Sequence, residues 1–333
     1  MISLVRKRQP DAEVQVGISA YITVELIDAK TQVVKQKLRF KNLITDAGLD
    51  RIGANVGMNG IVFNTGGTNY CGVGTGSTAP ANADTTLVTE VAPASSNRTL
   101  DNGGIANAYA YVSGPPDYHS GVRTFLFLEA QGNGNLTEIG IFSAVTGGSM
   151  WMRQLLKDGG GTPTTVVKTS SDQLRVTYEL RVQPLQSDVS ISRTISAVSY
   201  NITIRARNAS AVGTWGSDLN GGALESFGLF GTNAQMCMAL ETTTLGARTA
   251  EPSGSQVSAT SIAWAAYGGA TYYRDMTAIF DPGIANFAGG IGSIVFYETG
   301  NGDQLFQASF SPAFTKDATK RLTLVIRISW TRV

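Results

Sequence analysis

The chain has 333 residues, of which 15% are charged, and its net charge is +1. At roughly 150 residues per domain, this length predicts about two domains, and an apolar content of 42% allows each of them to bury a core. The near-zero charge argues against a nucleic-acid-binding protein that works by neutralising phosphates, and no apolar run approaches the ~20 residues of a membrane span. Low charge combined with 38 glycines is typical of turn-rich β structure.

The chain begins with a polar, basic segment, residues 1–15, which we expect to form an N-terminal arm. Residues 20–26 then alternate apolar and polar side chains, the pattern of a half-buried strand. A turn at residues 28–31 leads to a second strand that includes residues 38–40. The two strands predict a β-hairpin.

A threonine and an aspartate at residues 45–46 predict the N-cap of a short helix after the hairpin. Further strands are predicted at residues 70–74 and 123–128. The Gly- and Asn-rich residues 53–69 and the Pro-containing residues 92–121 have no clear period and are expected to be long loops. Loops of this length are usually functional or are ordered by partners.

The second half of the chain repeats the pattern of the first. Residues 292–296 resemble residues 138–142, and both segments lie between Gly-rich turns. Each half closes on a long alternating strand, residues 174–182 in the first and 322–330 in the second. An internal repeat of this kind determines the architecture and is therefore interpreted before any single motif.

Three other segments match in the same order. An alternating strand at residues 198–204 matches the opening hairpin, and residues 274–280 match the strand at 123–128. Residues 227–229, Phe-Gly-Leu, match Cys-Gly-Val at residues 71–73.

Short alternating strands with Gly-rich turns, and no long amphipathic helix, predict an all-β protein. We expect two tandem, related β-sandwich-like domains with long Gly-rich loops, at residues 16–184 and 198–333, the second being a diverged duplicate of the first. Residues 185–197 are the expected linker. An open barrel is the alternative architecture.

Residues typical of catalytic and metal sites are sparse. His119 is the single histidine and lies in a predicted loop, so the chain cannot form a histidine cluster for zinc or pair two imidazoles in acid–base catalysis. Cys71 and Cys237 form no CxxC pair, do not fall at matching repeat positions, and are expected to be buried thiols. The glycine-rich residues 72–76 are not followed by a long helix, so we interpret them as a turn and not as a phosphate-binding loop.

Carboxylate chemistry is the one enzymatic possibility that remains. Glu129 with Glu138, and Asp275 with Asp281, are candidate pairs for a glycosidase. We expect these side chains to occupy turns and solvent-facing positions instead. The sequence therefore predicts no enzymatic activity, no catalytic residue, no cofactor and no metal ion.

Most aromatic residues follow the strand period and are expected to lie in the core. Trp215, Tyr272 and Tyr273 lie nearer to predicted loops. They are the candidates for stacking against a sugar.

Several short segments, in this order, resemble structural proteins of tailed bacteriophages. They are residues 41–50 (Lys-Asn-Leu-Ile-Thr-Asp-Ala-Gly-Leu-Asp), residues 73–80 followed by 84–87, residues 136–142 and residues 172–178. The Thr-Glu-Ile-Gly-Ile-Phe sequence within residues 136–142 is also similar to the N-terminal region of phage tail-collar and tail-fibre proteins. This resemblance implies a virion component near the tail, collar or fibre-attachment site, assembled in the host cytoplasm, and it implies no catalytic residues.

The leading hypothesis is thus a non-enzymatic structural component of a bacteriophage virion. Its expected partners are other tail, collar or fibre proteins and further copies of itself, with no nucleic acid and no membrane. The alternative is a receptor-binding tail protein that recognises a host-surface carbohydrate. A third hypothesis is a depolymerising enzyme similar to tailspikes.

Overall fold

The computed structural model describes residues 10–53, 70–91, 98–100, 109–112, 114–195, 197–206, 236–248, 250, 252–297 and 304–333. Within these residues the chain is nearly all β, with one short helix, α1. The predicted all-β class is therefore confirmed.

The elements of the first half are β1 (Ala12–Asp28), β2 (Val34–Lys41), β3 (Leu43–Ile44), α1 (Asp46–Gly53), β4 (Tyr70–Gly74), β5 (Thr99–Leu100), β6 (Tyr109–Val112), β7 (Tyr118–Phe127), β8 (Gly134–Leu136), β9 (Glu138–Phe142), β10 (Met150–Leu155), β11 (Val166–Lys168) and β12 (Asp172–Gln183). Those of the second half are β13 (Val189–Ile195), β14 (Val198–Ala206), β15 (Met236–Leu240), β16 (Val257–Ser258), β17 (Ser261–Trp264), β18 (Tyr273–Phe280), β19 (Ile291–Tyr297), β20 (Gln304–Phe314) and β21 (Leu322–Arg332).

An eight-stranded sheet joins the two halves through β1. The sheet has the order β17-β18-β21-β1-β12-β7-β6, and β2 also pairs with β1, which confirms the predicted opening hairpin. β1 is antiparallel to β12 and parallel to β21, so β12 and β21 point in opposite directions. The halves consequently share one layer, and β13 forms within the segment that was expected to be a linker.

Two smaller sheets have matching strand orders. The five-stranded sheet is β3-β10-β9-β4-β5 and the six-stranded sheet is β13-β14-β20-β19-β15-β16. The run β10-β9-β4-β5 therefore corresponds to β20-β19-β15-β16, with antiparallel neighbours throughout. In the shared sheet, β12-β7-β6 corresponds to β21-β18-β17.

Alternate residues of the two closing strands enter a common core. On β12, Leu174, Tyr178 and Leu180 are buried, and on β21 Ile326 and Ile328 are buried. The charged side chains between them lie on the opposite, partly exposed face, as period-two geometry requires. The predicted register is confirmed, except that the first residue of β21 is only half-buried. Each of the three larger sheets contributes buried residues to one apolar cluster.

A buried lysine stabilises the turn after β7. The Lys168 ammonium donates hydrogen bonds to the Leu128 carbonyl (2.9 Å) and to Asn133 Oδ1 (2.8 Å). Between these two acceptors, Gly132 has a φ of 63°, a conformation that suits glycine. Ammonium burial is tolerated here because polar oxygens replace the lost water.

The second half contains the same arrangement after β18. The Lys316 ammonium donates to the Asp281 carbonyl (2.8 Å) and to Asn286 Oδ1 (2.8 Å). Ala285, immediately before the asparagine, has a φ of 54°, again in the left-handed region. Both halves therefore use a buried lysine, a main-chain carbonyl and an asparagine that follows a left-handed residue.

Several expectations about loops change. Residues 92–121 were expected to be irregular, but they include β5, β6 and the first residues of β7. His119 consequently lies in a strand, opposite Val182, and not in a loop. Residues 54–69 and the predicted strand at 227–229 lie outside the described residues. In the described part of the chain, no helix has the length and apolar character needed to cross a membrane.

We predict that Leu180→Ala lowers the free energy of unfolding by about 2–5 kcal/mol, because Leu180 is 4% exposed and its loss leaves a cavity. Val167→Ala is the matched control, since Val167 is 55% exposed. Urea unfolding of both variants measures the difference. Equal stabilities would contradict the assigned register of β12.

Candidate functional site

A fully buried ion pair links the two strands of the β9–β10 hairpin. Glu138 and Arg153 have side chains that are 0% and 1% exposed, and Arg153 Nε lies 2.8 Å from Glu138 Oε2. Arg153 lies opposite Gly140 and Glu138 lies opposite Leu155, so the two side chains are diagonal neighbours on one face of the sheet. A buried pair of this kind is stable only if its remaining hydrogen-bonding capacity is also satisfied.

The Glu138 carboxylate meets this condition by accepting three main-chain hydrogen bonds. Oε1 accepts from the amides of Gly76 (3.2 Å) and Thr89 (2.8 Å), and Oε2 accepts from the amide of Val88 (3.1 Å). With the Arg153 bond, both oxygens have two donors each. One side chain therefore holds two segments that lie at opposite ends of a long loop.

The Arg153 guanidinium binds the middle of the same region. Nη1 donates to Asp84 Oδ2 (2.8 Å), and Nη2 donates to the Thr78 carbonyl (2.7 Å). Burial alone would lower the pKa of Arg153, but the hydrogen bonds to Asp84 and Glu138 outweigh it and raise the pKa. The arginine is thus a permanent cation with a fixed set of acceptors.

The segment held by these contacts is residues 75–89, here called the 75–89 loop. It contains no helix or strand, and a bridge between Gly74 and Glu90 closes its ends. Within it, Thr75 N donates to the Thr89 carbonyl (2.8 Å) and Ala81 N donates to Asp84 Oδ2 (2.8 Å). An irregular segment of this length is uncommon without a specific function.

The glycine-rich residues 72–76 leave room for the Glu138 carboxylate because Gly74 and Gly76 have no side chains. A Cβ at Gly76 would lie 2.5 Å from Glu138 Oε1, and a Cβ at Gly74 would lie 2.6 Å from the same atom. These glycines are needed for close packing against a protein carboxylate. The interpretation of residues 72–76 as a simple turn is wrong for residues 72–74, because they belong to β4.

Helix α1 packs beside this site. Its predicted cap is confirmed, because Thr45 Oγ1 accepts a hydrogen bond from the Gly48 amide (3.1 Å). Gly48 allows the helix to approach β10, since a Cβ there would clash with the Trp151 carbonyl. The Asp46 amide donates to the Asn82 carbonyl (2.8 Å), which joins the helix to the 75–89 loop.

A second ion pair closes the end of the loop. Arg98 binds both carboxylate oxygens of Glu90, at 2.5 Å and 2.8 Å, and its guanidinium carbon lies 3.6 Å from the centroid of the Phe142 ring. Arg98 also donates to the carbonyls of Ala144 and Gly147 in the β9–β10 turn. This contact ties the loop end to the same hairpin.

The second half carries a neutral version of the site. Gln307 on β20 pairs with Val295 on β19, as Arg153 on β10 pairs with Gly140 on β9. Ser293 lies two residues before Val295, and Glu138 likewise lies two residues before Gly140. Ser293 and Gln307 are both 0% exposed.

The buried glutamine also binds the loop that follows β15, the strand that corresponds to β4. Gln307 Oε1 accepts from the Gly246 amide (2.8 Å), and Nε2 donates to the Gly246 carbonyl (3.2 Å). The strand positions are the same as in the first half, but neither residue is charged.

The two cysteines correct one expectation. Cys71 pairs with Ile141, the residue after Gly140, which is the partner of Arg153. Cys237 pairs with Phe296, the residue after Val295, which is the partner of Gln307. The cysteines therefore do match in the repeat, and the contrary prediction was wrong. Both are buried, as expected, and burial raises the pKa of each thiol.

The candidate carboxylates have separate structural partners. Glu138 was expected in a turn or on a solvent face, and its complete burial shows that this was wrong. Glu129 accepts a hydrogen bond from Gln173 (2.9 Å). Asp275 forms a partly buried ion pair with Arg327, and Asp281 forms a more exposed one with Arg321.

The candidate sugar-stacking residues also have internal contacts. The Tyr273 ring lies 3.6 Å from the guanidinium carbon of Arg327. Tyr272 is half-buried, and burial together with a hydrogen bond to Asp46 raises its pKa. Trp215 lies outside the described residues.

One open groove of about 490 Å³ lies between β14 and the end of β20. It is lined by aromatic residues, including Tyr200 and Phe314, and by the cations Lys320 and Arg321. These cations pair with aspartates. Its lining includes no carboxylate, imidazole or thiol.

Among the described residues, no group of three or more His, Cys, Asp or Glu side chains is placed to hold a metal ion. Comparisons with protein-family models, curated proteins and solved structures find no match to this chain.

The sequence contains a signal for this ion pair, although the pair was not predicted. Glu138 begins an otherwise apolar strand, and Arg153 lies in the mostly apolar sequence Met-Trp-Met-Arg-Gln-Leu-Leu. Opposite charges inside consecutive buried strands predict a buried pair, because neither charge alone is tolerated there.

We predict strong coupling between these two residues. Glu138→Ser and Arg153→Gln should each lower the free energy of unfolding by about 3–5 kcal/mol, because each leaves a buried charge without its partner. The double variant, which copies the second half, should lose much less than the sum. A double-mutant cycle in urea measures this. The exposed pair Asp281–Arg321 is the control, with an expected coupling of about 0–1 kcal/mol. Additive effects at Glu138 and Arg153 would contradict the assignment.

We predict that Gly76→Ala destabilises the protein, because its Cβ would lie 2.5 Å from Glu138 Oε1 and 2.6 Å from Val88 Cβ. Gly159→Ala is the control, since a Cβ there meets no atom within 4 Å. Thermal melting should separate the two variants. Identical melting temperatures would show that Glu138 does not require this glycine.

Proposed function

We propose that the protein is a non-enzymatic structural component of a bacteriophage virion, in the tail, collar or fibre-attachment region. The observation that carries this proposal is the convergence of three of the four resemblance-bearing segments on one site, the fourth (residues 172–178) lying in β12. Residues 41–50 include β3 and the start of the capped helix beside the site, residues 73–80 and 84–87 belong to β4 and the 75–89 loop, and residues 136–142 supply Glu138. Direct hydrogen bonds join segments that are far apart in the sequence.

The chemistry of the site supports an assembly role. Glu138 and Arg153 are buried, and their hydrogen bonds are to each other and to the loop. They are therefore unable to act on a substrate, but they fix the conformation of an exposed loop. A loop that is fixed in advance loses less conformational entropy when a partner binds.

The charges on the outer face of the shared sheet also support it. Arg39 pairs with Glu179 (2.6 Å) and Arg175 pairs with Glu25 (2.8 Å). Such pairs contribute little to stability, but they leave little net charge to repel neighbouring copies. We infer that further copies and other virion proteins are the partners.

The carbohydrate-binding alternative has no comparable support. Arg327 stacks on Tyr273, and Tyr272 is half-buried beside Asp46. Neither tyrosine offers an unobstructed ring for a sugar.

The proposal predicts that the protein is present in purified particles of the phage that encodes it and is localised at one end by antibody labelling. Mass spectrometry of gradient-purified virions tests the first point, and electron microscopy of labelled particles tests the second. Absence from the particles would contradict the proposal. Release of oligosaccharides from host envelope polysaccharide by the purified protein would contradict its non-enzymatic part.

A further inference from the structure

Two buried lysines lie against asparagine side chains at corresponding places in the two halves. Lys168 is 2% exposed and Lys316 is 5% exposed. Lys168 Nζ lies 2.8 Å from Asn133 Oδ1, and Lys316 Nζ lies 2.8 Å from Asn286 Oδ1. The halves differ in charge at the buried ion pair of β9 and β10, whereas both members of the lysine–asparagine pair are the same residue types in each half.

Main-chain carbonyls hold each lysine nitrogen beside its amide. Lys168 Nζ also donates to the Leu128 carbonyl (2.9 Å). Lys316 Nζ also donates to the carbonyls of Asp281 (2.8 Å) and Ile284 (2.7 Å). These acceptors belong to the same turns as the asparagines, so each lysine nitrogen is fixed against the side chain that it faces.

Each lysine nitrogen is close to the distance at which it would attack the amide carbon. Because Oδ1 is bonded to Cγ at about 1.2 Å, a nitrogen 2.8 Å from Oδ1 lies within about 4 Å of Cγ. Reacting atoms in a near-attack arrangement are about 3–3.5 Å apart. A small rotation of the asparagine side chain is enough to close this gap. The hydrogen bond to Oδ1 also stabilises the negative charge that develops on this oxygen when a nucleophile adds to Cγ.

The surroundings favour the reactive form of lysine. Burial lowers the pKa of both Lys168 and Lys316, because the ammonium form loses its hydration, and nearby carboxylates do not cancel this effect. A lowered pKa increases the fraction of neutral amine, which is the nucleophilic form. The two asparagines are themselves exposed, so a leaving group released from them reaches solvent directly.

We propose that each pair forms an isopeptide bond, between Lys168 and Asn133 in the first half and between Lys316 and Asn286 in the second. Nζ attacks Cγ, the Nζ–Cγ amide bond forms and the Cγ–Nδ2 bond breaks. The lysine ammonium gives up two protons, and these leave with the Nδ2 amino group as an ammonium ion. The reaction is balanced without any other reactant.

The two bonds join each turn to the segment that leads into the closing strand. Lys168 is the last residue of β11, shortly before β12, and Lys316 lies between β20 and β21. Cross-links of this kind reduce the freedom of the unfolded chain and thereby stabilise the folded state. The bonds form within one chain and therefore do not depend on assembly into a virion.

Intact-mass spectrometry of the denatured full-length protein tests the proposal. We expect the wild-type mass to be lower than the mass calculated from the sequence by two molecules of ammonia. Lys168→Met and Asn133→Ala should each abolish one of these losses, and Lys316→Met and Asn286→Ala should each abolish the other. Asn135→Ala is the matched control, because it changes an exposed asparagine on β8 and should retain both losses.

Peptide mapping of the wild-type protein keeps the test independent of how the variants fold. Trypsin should release one branched peptide that contains Asn133 and Lys168 and another that contains Asn286 and Lys316. A wild-type mass equal to the calculated mass, or losses that persist in the Lys168→Met, Lys316→Met double variant, would overturn the proposal. Recovery of unbranched peptides from either half would refute the bond in that half.

Discussion

The first half of the structure depends on the buried Glu138–Arg153 ion pair. The two residues lie on adjacent strands of a hairpin, and between them they bind the beginning, middle and end of the 75–89 loop. In a low-dielectric interior, each charge would be costly without its partner and its hydrogen bonds. The same contacts explain the glycines of β4 and its following loop, since side chains at Gly74 and Gly76 would occupy the space of the carboxylate. One electrostatic constraint therefore accounts for a sequence motif and a loop conformation.

The second half retains the architecture without the charges. The strand orders correspond, a buried lysine holds the same kind of turn, and Ser293 with Gln307 occupy the positions of Glu138 with Arg153. A single charge at either position would be buried and unpaired, so the site is consistent with either both charges or neither. We infer that the two halves descend from a duplication.

Strand periodicity was sufficient to predict the all-β class, the opening hairpin and the burial of Leu180 and Ile326, and an N-cap signal predicted the short helix. These features depend on local spacing. The shared sheet was missed because the parallel pairing of β1 with β21 joins the two ends of the chain, and no local pattern reports it. The ion pair was missed because Glu138 was considered only with another carboxylate, Glu129, and not with a cation on the next strand. The matching of Cys71 with Cys237 was missed because the two halves differ in loop length, and only strand register aligns them.

Hydrogen exchange of the loop amides tests the central claim most directly. Glu138→Gln keeps the size of the side chain but removes its charge and one of its two acceptor oxygens. The amides of Gly76, Val88 and Thr89 should be protected in the wild-type protein and should exchange much faster in the variant, while the amides shared by β1 and β12 should be unchanged. Unchanged protection of the three loop amides in Glu138→Gln would contradict the conclusion that the buried carboxylate holds the loop.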